Sequence, residues 1–388
     1  MTGSAVICGA GIAGLALAHA LTRAGWEVTV VERAPGPRRQ GYMMDFFGPG
    51  HRAAERLGLL PRLQELAYDV EALAYVDEQG RTRVSLDYAR LVNSVDGRLL
   101  SLMRPDLEQA LREAVGGAAE LRYADTVTEF TELADGVRVV LADGSARQVD
   151  LLVGADGIHS QIRHRLWGEE SRFLRYLGLH TAAYTFTDPA VHAALAGRFV
   201  MTDTVGQTLG LYGLREHRVA VFAAHTSADP ALPADPREAL RERYTGLGWA
   251  LARALEKCPP GEEVYYDQVA QVELPRWHRG HVALLGDACQ AVSLLAGQGA
   301  SLAVAGAEVL ADHLVSAHSV PLALQRYQEE WHPVVTAQQR AGRRGAEWFL
   351  PLTDARRARR RVMLRLMALP GLDRILARGL VGRTRTRR

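Results

Sequence analysis

The segment from Ala5 to Arg33 constrains the fold more than any other stretch of the sequence. A short apolar run leads into the motif G-x-G-x-x-G, formed by Gly9, Gly11 and Gly14. Apolar residues then recur at helical spacing, and a second run rich in β-branched residues ends at Glu32. This order predicts a strand, a helix and a second parallel strand, which together form the first unit of a Rossmann-like α/β domain.

The same segment suits a dinucleotide, because each of its parts can contact one part of such a ligand. The first glycine allows a tight turn, the second lets the backbone approach a pyrophosphate, and the third permits close packing of helix and strand. The first helical turn, with Ile12 and Ala13, offers free N–H groups to phosphates. Glu32 lies about 20 positions beyond the motif, where an acid binds ribose hydroxyls, and Arg33 adjoins it. A glycine-rich turn in an ordinary βαβ unit is the alternative, and the motif does not distinguish NAD from FAD.

A second segment, from Asp150 to Arg163, combines a buried strand with a glycine-containing loop. Its Asp156 can anchor the loop or hydrogen-bond a nicotinamide cofactor, while Gly157 bends the chain. Taken alone, this Asp–Gly pair indicates only a turn. The segment gains weight from the other two motifs.

A third segment, from Gly286 to Ser301, favours FAD. Asp287 follows a short apolar strand, and its carboxylate is a good acceptor for the hydroxyls of a ribityl chain. Gly297 and Gly299 allow close approach of the backbone to a flat ring. A helix is predicted from about Ala300, with its N-terminus towards the pyrimidine edge of that ring. A tight strand–helix loop with Asp287 as an N-cap is the alternative.

In this order and at these separations, the three segments resemble the class A flavoprotein monooxygenases, over roughly residues 5–350. Within that family the tetracycline-inactivating enzymes are the more similar group. The segment RPDLEQAL resembles the family's R-x-x-L segment, which implies that Arg104 contacts the flavin cofactor. The segment RRQGYMMDFFGPG resembles the stretch near the isoalloxazine ring, which implies that Asp45 contacts FAD and that Arg38 approaches the nicotinamide cofactor.

The sequence also departs from the family pattern in the third segment. Gln290 and Ser293-Leu294 stand where many members have a His and two prolines, and Ser301 stands where Asn is common. The prolines shape the surroundings of the reactive flavin edge in the family. These departures therefore bear on whether oxygen transfer is retained.

The sequence predicts an α/β fold with a Rossmann-like FAD-binding domain, an inserted antiparallel-sheet substrate domain and C-terminal helices. Alternating patterns at 180–186 and 208–225 predict the antiparallel strands. The predicted boundaries are 1–70, 100–171 and 276–320 for the discontinuous FAD-binding domain, 71–99 and 172–275 for the substrate domain, and 321–388 for the C-terminal helices with their basic tail.

The inserted sheet is expected to cover the flavin ring, so its apolar side chains are candidates for a substrate pocket. For each of them, an ordinary place in the sheet core is the alternative. No residue is assigned as an obligatory acid or base, and no metal site is predicted, because the histidines lack ligand spacing. The candidate pocket residues are Met44, Phe46, Tyr184, Phe186, Tyr212, Phe222 and the ring-proximal Gln298.

The resemblance implies an FAD-dependent monooxygenase that takes electrons from NADPH or NADH and uses O2 through a flavin C4a-hydroperoxide. FAD is expected to be bound non-covalently, and the substrate to be a small aromatic, polyketide-like or otherwise electron-rich molecule. Three alternatives remain open. They are a flavoprotein reductase, a cyclase that uses FAD as a scaffold, and a binding protein without activity.

Charge is distributed unevenly, although the formal net charge is only +2. Residues 356–388 contain twelve Arg and one Asp, so this tail carries +11 and the remainder −9. A docked helix broken near Pro370-Gly371 is the preferred prediction for the tail, and weak peripheral membrane contact is the alternative. Nucleic acid is not an expected partner. Three scattered cysteines, no basic leader and no long uncharged run predict a cytoplasmic protein without a transmembrane segment.

Overall fold

The structure is a computed structural model that describes residues 2–38, 40–94, 98–293 and 297–367. Two large sheets form its framework, and helices cover both of them. The strands are β1 (Ser4–Cys8), β2 (Glu27–Glu32), β3 (Met43–Phe47), β4 (Ala72–Val76), β5 (Thr82–Asp87), β6 (Leu99–Met103), β7 (Glu120–Tyr123), β8 (Val127–Glu132), β9 (Val137–Leu141), β10 (Ala146–Val149), β11 (Leu151–Gly154), β12 (Leu174–Thr187), β13 (Arg198–Thr202), β14 (Gln207–Gly213), β15 (Arg218–Thr226), β16 (Tyr265–Val272), β17 (His278–Arg279) and β18 (Val282–Leu284).

The helices connect these strands and form the C-terminal part of the described chain. They are α1 (Ile12–Arg23), α2 (Pro49–Arg56), α3 (Leu60–Leu66), α4 (Tyr88–Ser94), α5 (Arg104–Val115), α6 (Gln161–Trp167), α7 (Pro189–Leu195), α8 (Pro236–Arg243), α9 (Trp249–Glu256), α10 (Asp287–Gln290), α11 (Gly299–Ser316), α12 (Val320–Phe349) and α13 (Asp354–Met367).

The first sheet has six strands in the order β17–β18–β11–β1–β2–β7. The pairs β1–β2, β1–β11 and β11–β18 are parallel, and Val6 lies opposite both Thr29 and Leu152. The short apolar runs form buried strands, as is usual in parallel sheets covered on both faces. Helix α1 is almost entirely buried and packs against α11. As a result, the carboxyl ends of β1, β11 and β18 meet at one end of the sheet.

The second sheet has seven strands in the order β16–β12–β15–β14–β13–β4–β5, and only the pair β13–β4 is parallel. Its strands come from residues 72–87 and 174–272, within the two stretches predicted for the substrate domain. Successive side chains alternate between its faces. The outer face packs against α7, α8 and α9, whereas the inner face packs against the ribbon of β3 and β6.

Helix α13 docks against the edge of the second sheet. Leu364 is buried against Tyr75, and Arg360 is only 1% exposed. The Nη2 atom of Arg360 lies 2.7 Å from an Oδ atom of Asp203, and its guanidinium lies 4.5 Å from the centroid of the Tyr75 ring. In the structure, residues 354–367 therefore form a basic helix that is docked on the protein.

The predicted break near Pro370-Gly371 lies outside the described residues. Within the part of the chain that the structure describes, no helix combines the length and apolar character needed to cross a bilayer.

Candidate functional site

A cleft opens at the carboxyl ends of β1 and β11, where α1 begins. Gly9 has φ = +112°, and a Cβ there would lie 2.3 Å from a backbone oxygen of the loop after β11. A Cβ on Gly14 would lie 2.0 Å from the oxygen of Gly9, so both positions require glycine. Gly11 is the N-cap of α1, and it makes no side-chain cap. The N–H groups of the first turn, to which Ile12 and Ala13 belong, can therefore bind an anion.

Charged side chains surround the mouth of this cleft. The Glu32 carboxylate accepts hydrogen bonds from the backbone N–H groups of Ala10 at 3.0 Å and Ala34 at 2.9 Å. These contacts fix the acid at the end of β2. Arg33 and Arg38 are exposed and line the same cleft. The structure thus brings the predicted ribose acid, both arginines and the glycine turn together.

Asp156 anchors the loop that follows β11. Its carboxylate accepts hydrogen bonds from the Ser160 hydroxyl at 2.6 Å and from the N–H groups of Gln161 at 2.7 Å and Ile162 at 3.2 Å. Burial raises the pKa of Asp156, and these hydrogen bonds oppose the increase. The structure shows the anchoring role, while contact between Asp156 and a nicotinamide cofactor stays a prediction.

Sequence reasoning misses two cations, His159 in this loop and Arg163 on α6, because each has a partner that is distant in the chain. Arg163 is fully buried and donates from Nη1 to the backbone oxygen of Ala288 at 2.9 Å, which ties α6 to the third segment. His159 lines the cleft, with Nε2 3.7 Å from Asp267 and Nδ1 2.9 Å from Glu170. Hydrogen bonding to these two carboxylates raises the pKa of His159 to about 9, although burial opposes the increase. His159 is therefore a cation at neutral pH.

Asp287 stands at the other end of the site, just beyond β18. The preceding Gly286 has φ = +63°, and a Cβ there would lie 2.5 Å from the Cβ of Ala13, so this turn needs glycine in order to pack on α1. Asp287 is exposed to solvent, and its carboxylate makes no hydrogen bond within the described residues. Desolvation by the surrounding protein raises the pKa of Asp287, and Arg104 opposes the increase. An acceptor of this kind, exposed and without a hydrogen-bond partner in the protein, fits the hydroxyls of a polyol chain.

Helix α11 begins beside Asp287. A Cβ on Gly299 would lie 3.9 Å from Oδ1 of Asp287, and Gly297 has φ = +64°. The N-cap residue Gln298 makes no side-chain cap, so the N–H groups of the first turn, which includes Ala300, can bind a ligand. The N-cap alternative for Asp287 is wrong for this helix, because Asp287 opens the separate helix α10.

Two buried glutamine amides hold the backbone between α10 and α11. Gln271 donates from Nε2 to the backbone oxygen of Val292 at 2.8 Å, and Gln339 donates from Nε2 to that of Ala291 at 3.1 Å. Ser293 follows these two residues with φ = +91°, a left-handed conformation. This amide clamp, formed by Gln271 and Gln339, fixes the chain just before Ser293, the position where many members of the family have the first of two prolines.

The other departures from the family pattern also have partners. Gln290 donates to the Tyr327 hydroxyl at 2.6 Å and accepts from Nε1 of Trp331 at 3.2 Å. The Ser301 hydroxyl accepts a hydrogen bond at 3.2 Å from the last backbone N–H of β3, which joins β3 to α11. Leu294 lies outside the described residues.

Strand β3 presents alternate side chains to the site. Met44 and Phe46 are buried in the core of the FAD-binding domain, away from the place predicted for them. The alternation of the strand turns Met43, Asp45 and Phe47 to the other face. Met44 and Phe46 therefore take the place in the core that was the alternative for them, on the opposite face of β3 from Met43, Asp45 and Phe47.

Asp45 has protein partners on the site side of β3. Its carboxylate accepts hydrogen bonds from the Tyr88 hydroxyl and from the Ser101 hydroxyl. Burial raises the pKa of Asp45, and both hydrogen bonds oppose the increase. The contact with FAD that the resemblance implies stays a prediction.

The predicted pocket residues of the second sheet divide between its faces. Tyr184 and Phe186 lie on the outer face, under α7, α8 and α9, and so are separated from the cleft by the sheet itself. Tyr212 and Phe222 lie on the inner face. The Phe222 ring is 6.5 Å from the ring of Tyr42, and the Tyr212 hydroxyl accepts a hydrogen bond from the first N–H of β3.

Arg104 joins the two ends of the site. It is the first residue of α5, it lines the cleft, and its Nη2 lies 2.7 Å from Oε1 of Glu108. Burial lowers the pKa of Arg104, but Glu108, Tyr42, Tyr265 and Asp287 together outweigh burial and raise it. Arg104 therefore lines the cleft of the glycine turn and also interacts electrostatically with Asp287.

These residues fit one elongated ligand. The glycine turn, the open N-terminus of α1 and Glu32 suit an ADP moiety, whereas Asp287 and the N-terminus of α11 suit a polyol and a flat ring. Among the described residues, no group of three or more His, Cys, Asp or Glu side chains could hold a metal ion. The fold and the cleft together define a flavoprotein that binds FAD.

The comparisons agree with this class, and the chain belongs to the family described as FAD binding domain, which matches residues 2–341. It is 35% identical over 347 residues to an uncharacterised protein of Mycobacterium tuberculosis, covering 86% of this chain and 91% of the relative. It is 29% identical over 384 residues to the FAD-dependent monooxygenase asL6 of Sarocladium schorii, covering 90% and 89%. The crystal structure of tetracycline destructase Tet(55) matches with a TM-score of 0.79 and 25% identity, covering 94% and 96%. The protein is an FAD-dependent monooxygenase of the class A type.

Proposed function

We propose that this monooxygenase takes electrons from NADPH or NADH and inserts one atom of O2 into a small, electron-rich aromatic or polyketide-like molecule. For a hydroxylation, substrate–H, NAD(P)H, H⁺ and O2 give substrate–OH, NAD(P)⁺ and H2O. The proposal depends most on one observation, which is that Tyr42, just before β3, packs against two aromatic rings on the inner face of the second sheet. The Tyr42 ring lies 6.5 Å from that of Phe222 and 5.7 Å from that of Tyr265, and Asp287 and Arg104 both affect the pKa of Tyr265.

The protein's own groups would bind and orient the cofactor. The N–H groups of α1 would hold the pyrophosphate, Glu32 the ribose, and Asp287 the ribityl chain. The N–H groups at the start of α11 would stabilise negative charge on the reduced ring. Bound FAD would supply the redox chemistry with NAD(P)H and O2.

The aromatic cluster of Tyr42, Phe222 and Tyr265 would serve the substrate. Its rings offer flat apolar surface for an aromatic substrate and keep water away from the reacting atoms. The similar crystal structure described above is that of a tetracycline destructase. Tetracycline is therefore the first polyketide to test, beside simpler phenols.

A single experiment separates oxygen transfer from the alternatives. The FAD-loaded protein is reduced anaerobically with NADPH or NADH and then mixed with O2, with and without each candidate substrate. We expect reduction by a nicotinamide cofactor and, with the correct substrate, one oxygenated product for each NAD(P)H consumed. Reduction followed only by H2O2 with every substrate would support a reductase, and catalysis without NAD(P)H would support an FAD-scaffolded cyclase. Failure of both reactions would support a binding protein.

Variants of Phe222 and Tyr184 test whether the inner face of the second sheet serves the substrate. Phe222→Ala should raise KM and divert electrons to H2O2 while leaving anaerobic flavin reduction unchanged. The matched control is Tyr184→Phe on the outer face, which loses only a hydrogen bond from its hydroxyl to the Ala254 oxygen at 2.9 Å. Equal effects of both variants on KM would contradict the assignment of the inner face.

A further inference from the structure

Arg104 stands where the electrostatics of a helix disfavour a cation. It is the first residue of α5, where the positive end of the helix dipole opposes a guanidinium. Its partner Glu108 follows four residues later, and this order of Arg before Glu is the less favourable one for a helical ion pair. The pair therefore does little for the helix itself, and a local rule broken in this way often marks a functional position.

Glu108 is buried beside the predicted pyrophosphate site. Its side chain is 6% exposed, and its Oε1 atom lies 2.7 Å from Nη2 of Arg104. The same oxygen is the nearest atom, at 3.7 Å, to the place of a Cβ on Gly11, the N-cap of α1. An acid at this place would repel a phosphate. Its presence therefore indicates that it serves another group in the site.

The Arg104 side chain has donors to spare. It is 25% exposed, and a guanidinium has five N–H donors arranged in a planar fork. Because Glu108 accepts at one edge of that fork, the other donors can point towards a ligand. The backbone N–H of Arg104 also donates to the backbone oxygen of Tyr42 at 3.0 Å, and the Tyr42 ring lies 5.7 Å from that of Tyr265 at the ring end of the site.

We propose that Glu108 is a positioning residue, which holds the Arg104 guanidinium between the pyrophosphate half and the ring half of the FAD site. Glu108 thus acts through Arg104 and gains no contact with the cofactor itself. The inference depends on FAD binding, and it is independent of the substrate, of the nicotinamide cofactor and of oxygen transfer.

If the effect of Glu108 is purely electrostatic, the expected change in FAD affinity is the opposite one. If Glu108 only repels the pyrophosphate, its removal should tighten FAD binding, and Glu108→Ala and Glu108→Gln should behave alike. If Glu108 positions Arg104, Glu108→Ala should weaken FAD binding, whereas Glu108→Gln should largely restore it, because the amide oxygen still accepts from the guanidinium.

The test is a double-mutant cycle on apoprotein reconstituted with FAD, followed by flavin fluorescence. We expect Glu108→Ala and Arg104→Ala each to raise the Kd for FAD by about tenfold, and Glu108→Gln to stay within about threefold of the parent. In the Arg104→Ala background, Glu108→Ala should change the Kd by less than about twofold, because the interaction is already lost. The flavin midpoint potential should fall in both alanine variants and recover in Glu108→Gln, since a cation near the ring favours the reduced form.

Tighter FAD binding by both Glu108 variants would overturn the proposal, as would full additivity of the two alanine substitutions. The control is Gln109→Ala on the same helix, whose exposed amide donates to Glu113 at 2.8 Å; its Kd and potential should match the parent. If Glu108→Ala does not fold, Glu108→Asp replaces it, because Asp keeps the charge but withdraws it from Arg104. Parent-like Kd and potential in Glu108→Asp would then contradict the positioning role.

Discussion

The buried ion pair between Asp203 and Arg360 should dominate the docking of α13. Both side chains are almost completely buried, at 0% and 2% exposure, and Arg361 adds a second contact to the same carboxylate. Asp203→Ala would leave the Arg360 guanidinium enclosed without its counter-charge. Breaking one partner of a buried pair costs about 3–5 kcal/mol, and the partly exposed Arg361 adds about 0–1 kcal/mol.

Removing both charges should be much less harmful than removing one. In the double variant Asp203→Leu with Arg360→Met, no buried charge is left unpaired, and replacement of a buried pair by apolar residues is often neutral. The lost cation–π contact with Tyr75 costs about 0.5–2 kcal/mol. We therefore expect the free energy of unfolding of the double variant to lie within about 2 kcal/mol of that of the parent.

Urea unfolding of the FAD-saturated protein measures these differences, with FAD held constant because bound ligand adds to stability. Proteolysis within α13 reports whether the helix has undocked. The control is Arg279→Ala, which breaks a more exposed pair with Glu132, with side chains 54% and 27% exposed, and should cost less than about 1 kcal/mol. A cost below about 1 kcal/mol for Asp203→Ala, or a double variant as unstable as the sum of its parts, would refute the reasoning.

Four further predictions concern the cofactor site. Glu32→Ala should weaken FAD binding by about 1–3 kcal/mol through unpaired ribose hydroxyls, and an unchanged Kd in an FAD titration would exclude that role. Asp287→Ala should also lose FAD or shift its visible spectrum, whereas parent-like affinity and turnover would remove Asp287 from the site. Arg38→Ala should slow flavin reduction in stopped-flow experiments more than it weakens FAD binding; equal losses would contradict a contact with NAD(P)H. The raised pKa of His159 means that its ion pairs stabilise the fold fully below about pH 6.5 and lose this effect as pH rises through about 9. The free energy of unfolding of His159→Gln should therefore be about 1 kcal/mol lower than that of the parent below about pH 6.5. A difference that persisted well above the folded pKa would refute the assignment.

The parts of the site that the sequence reveals are those built from neighbours in the chain. The glycine turn, the start of α1 and Glu32 lie within one βαβ unit, and their spacing alone indicates their roles. Asp287 is recognisable for the same reason, because it directly follows a short buried strand. Such local patterns also indicate the Rossmann-like sheet.

The parts that the sequence hides depend on contacts between distant elements. Alternation shows that Tyr184 and Phe222 belong to strands, but it does not tell which face of the sheet meets the cofactor domain. The same limit applies to Met44, which a shift of one residue exchanges with Met43. Two further contacts join residues that are far apart in the chain, so no local pattern predicts them. They are the hydrogen bond from Arg163 to Ala288 and the ion pair of Arg360 with Asp203.

The amide clamp of Gln271 and Gln339 has a consequence for the dependence of catalysis on pH. Amide side chains neither gain nor lose protons over the range in which proteins stay folded. Their hold on the backbone oxygens of Ala291 and Val292 is consequently the same in acid and in alkali. The chain before Ser293 should keep one conformation across the whole pH profile, and a change of reactivity with pH would originate in groups that titrate, such as His159.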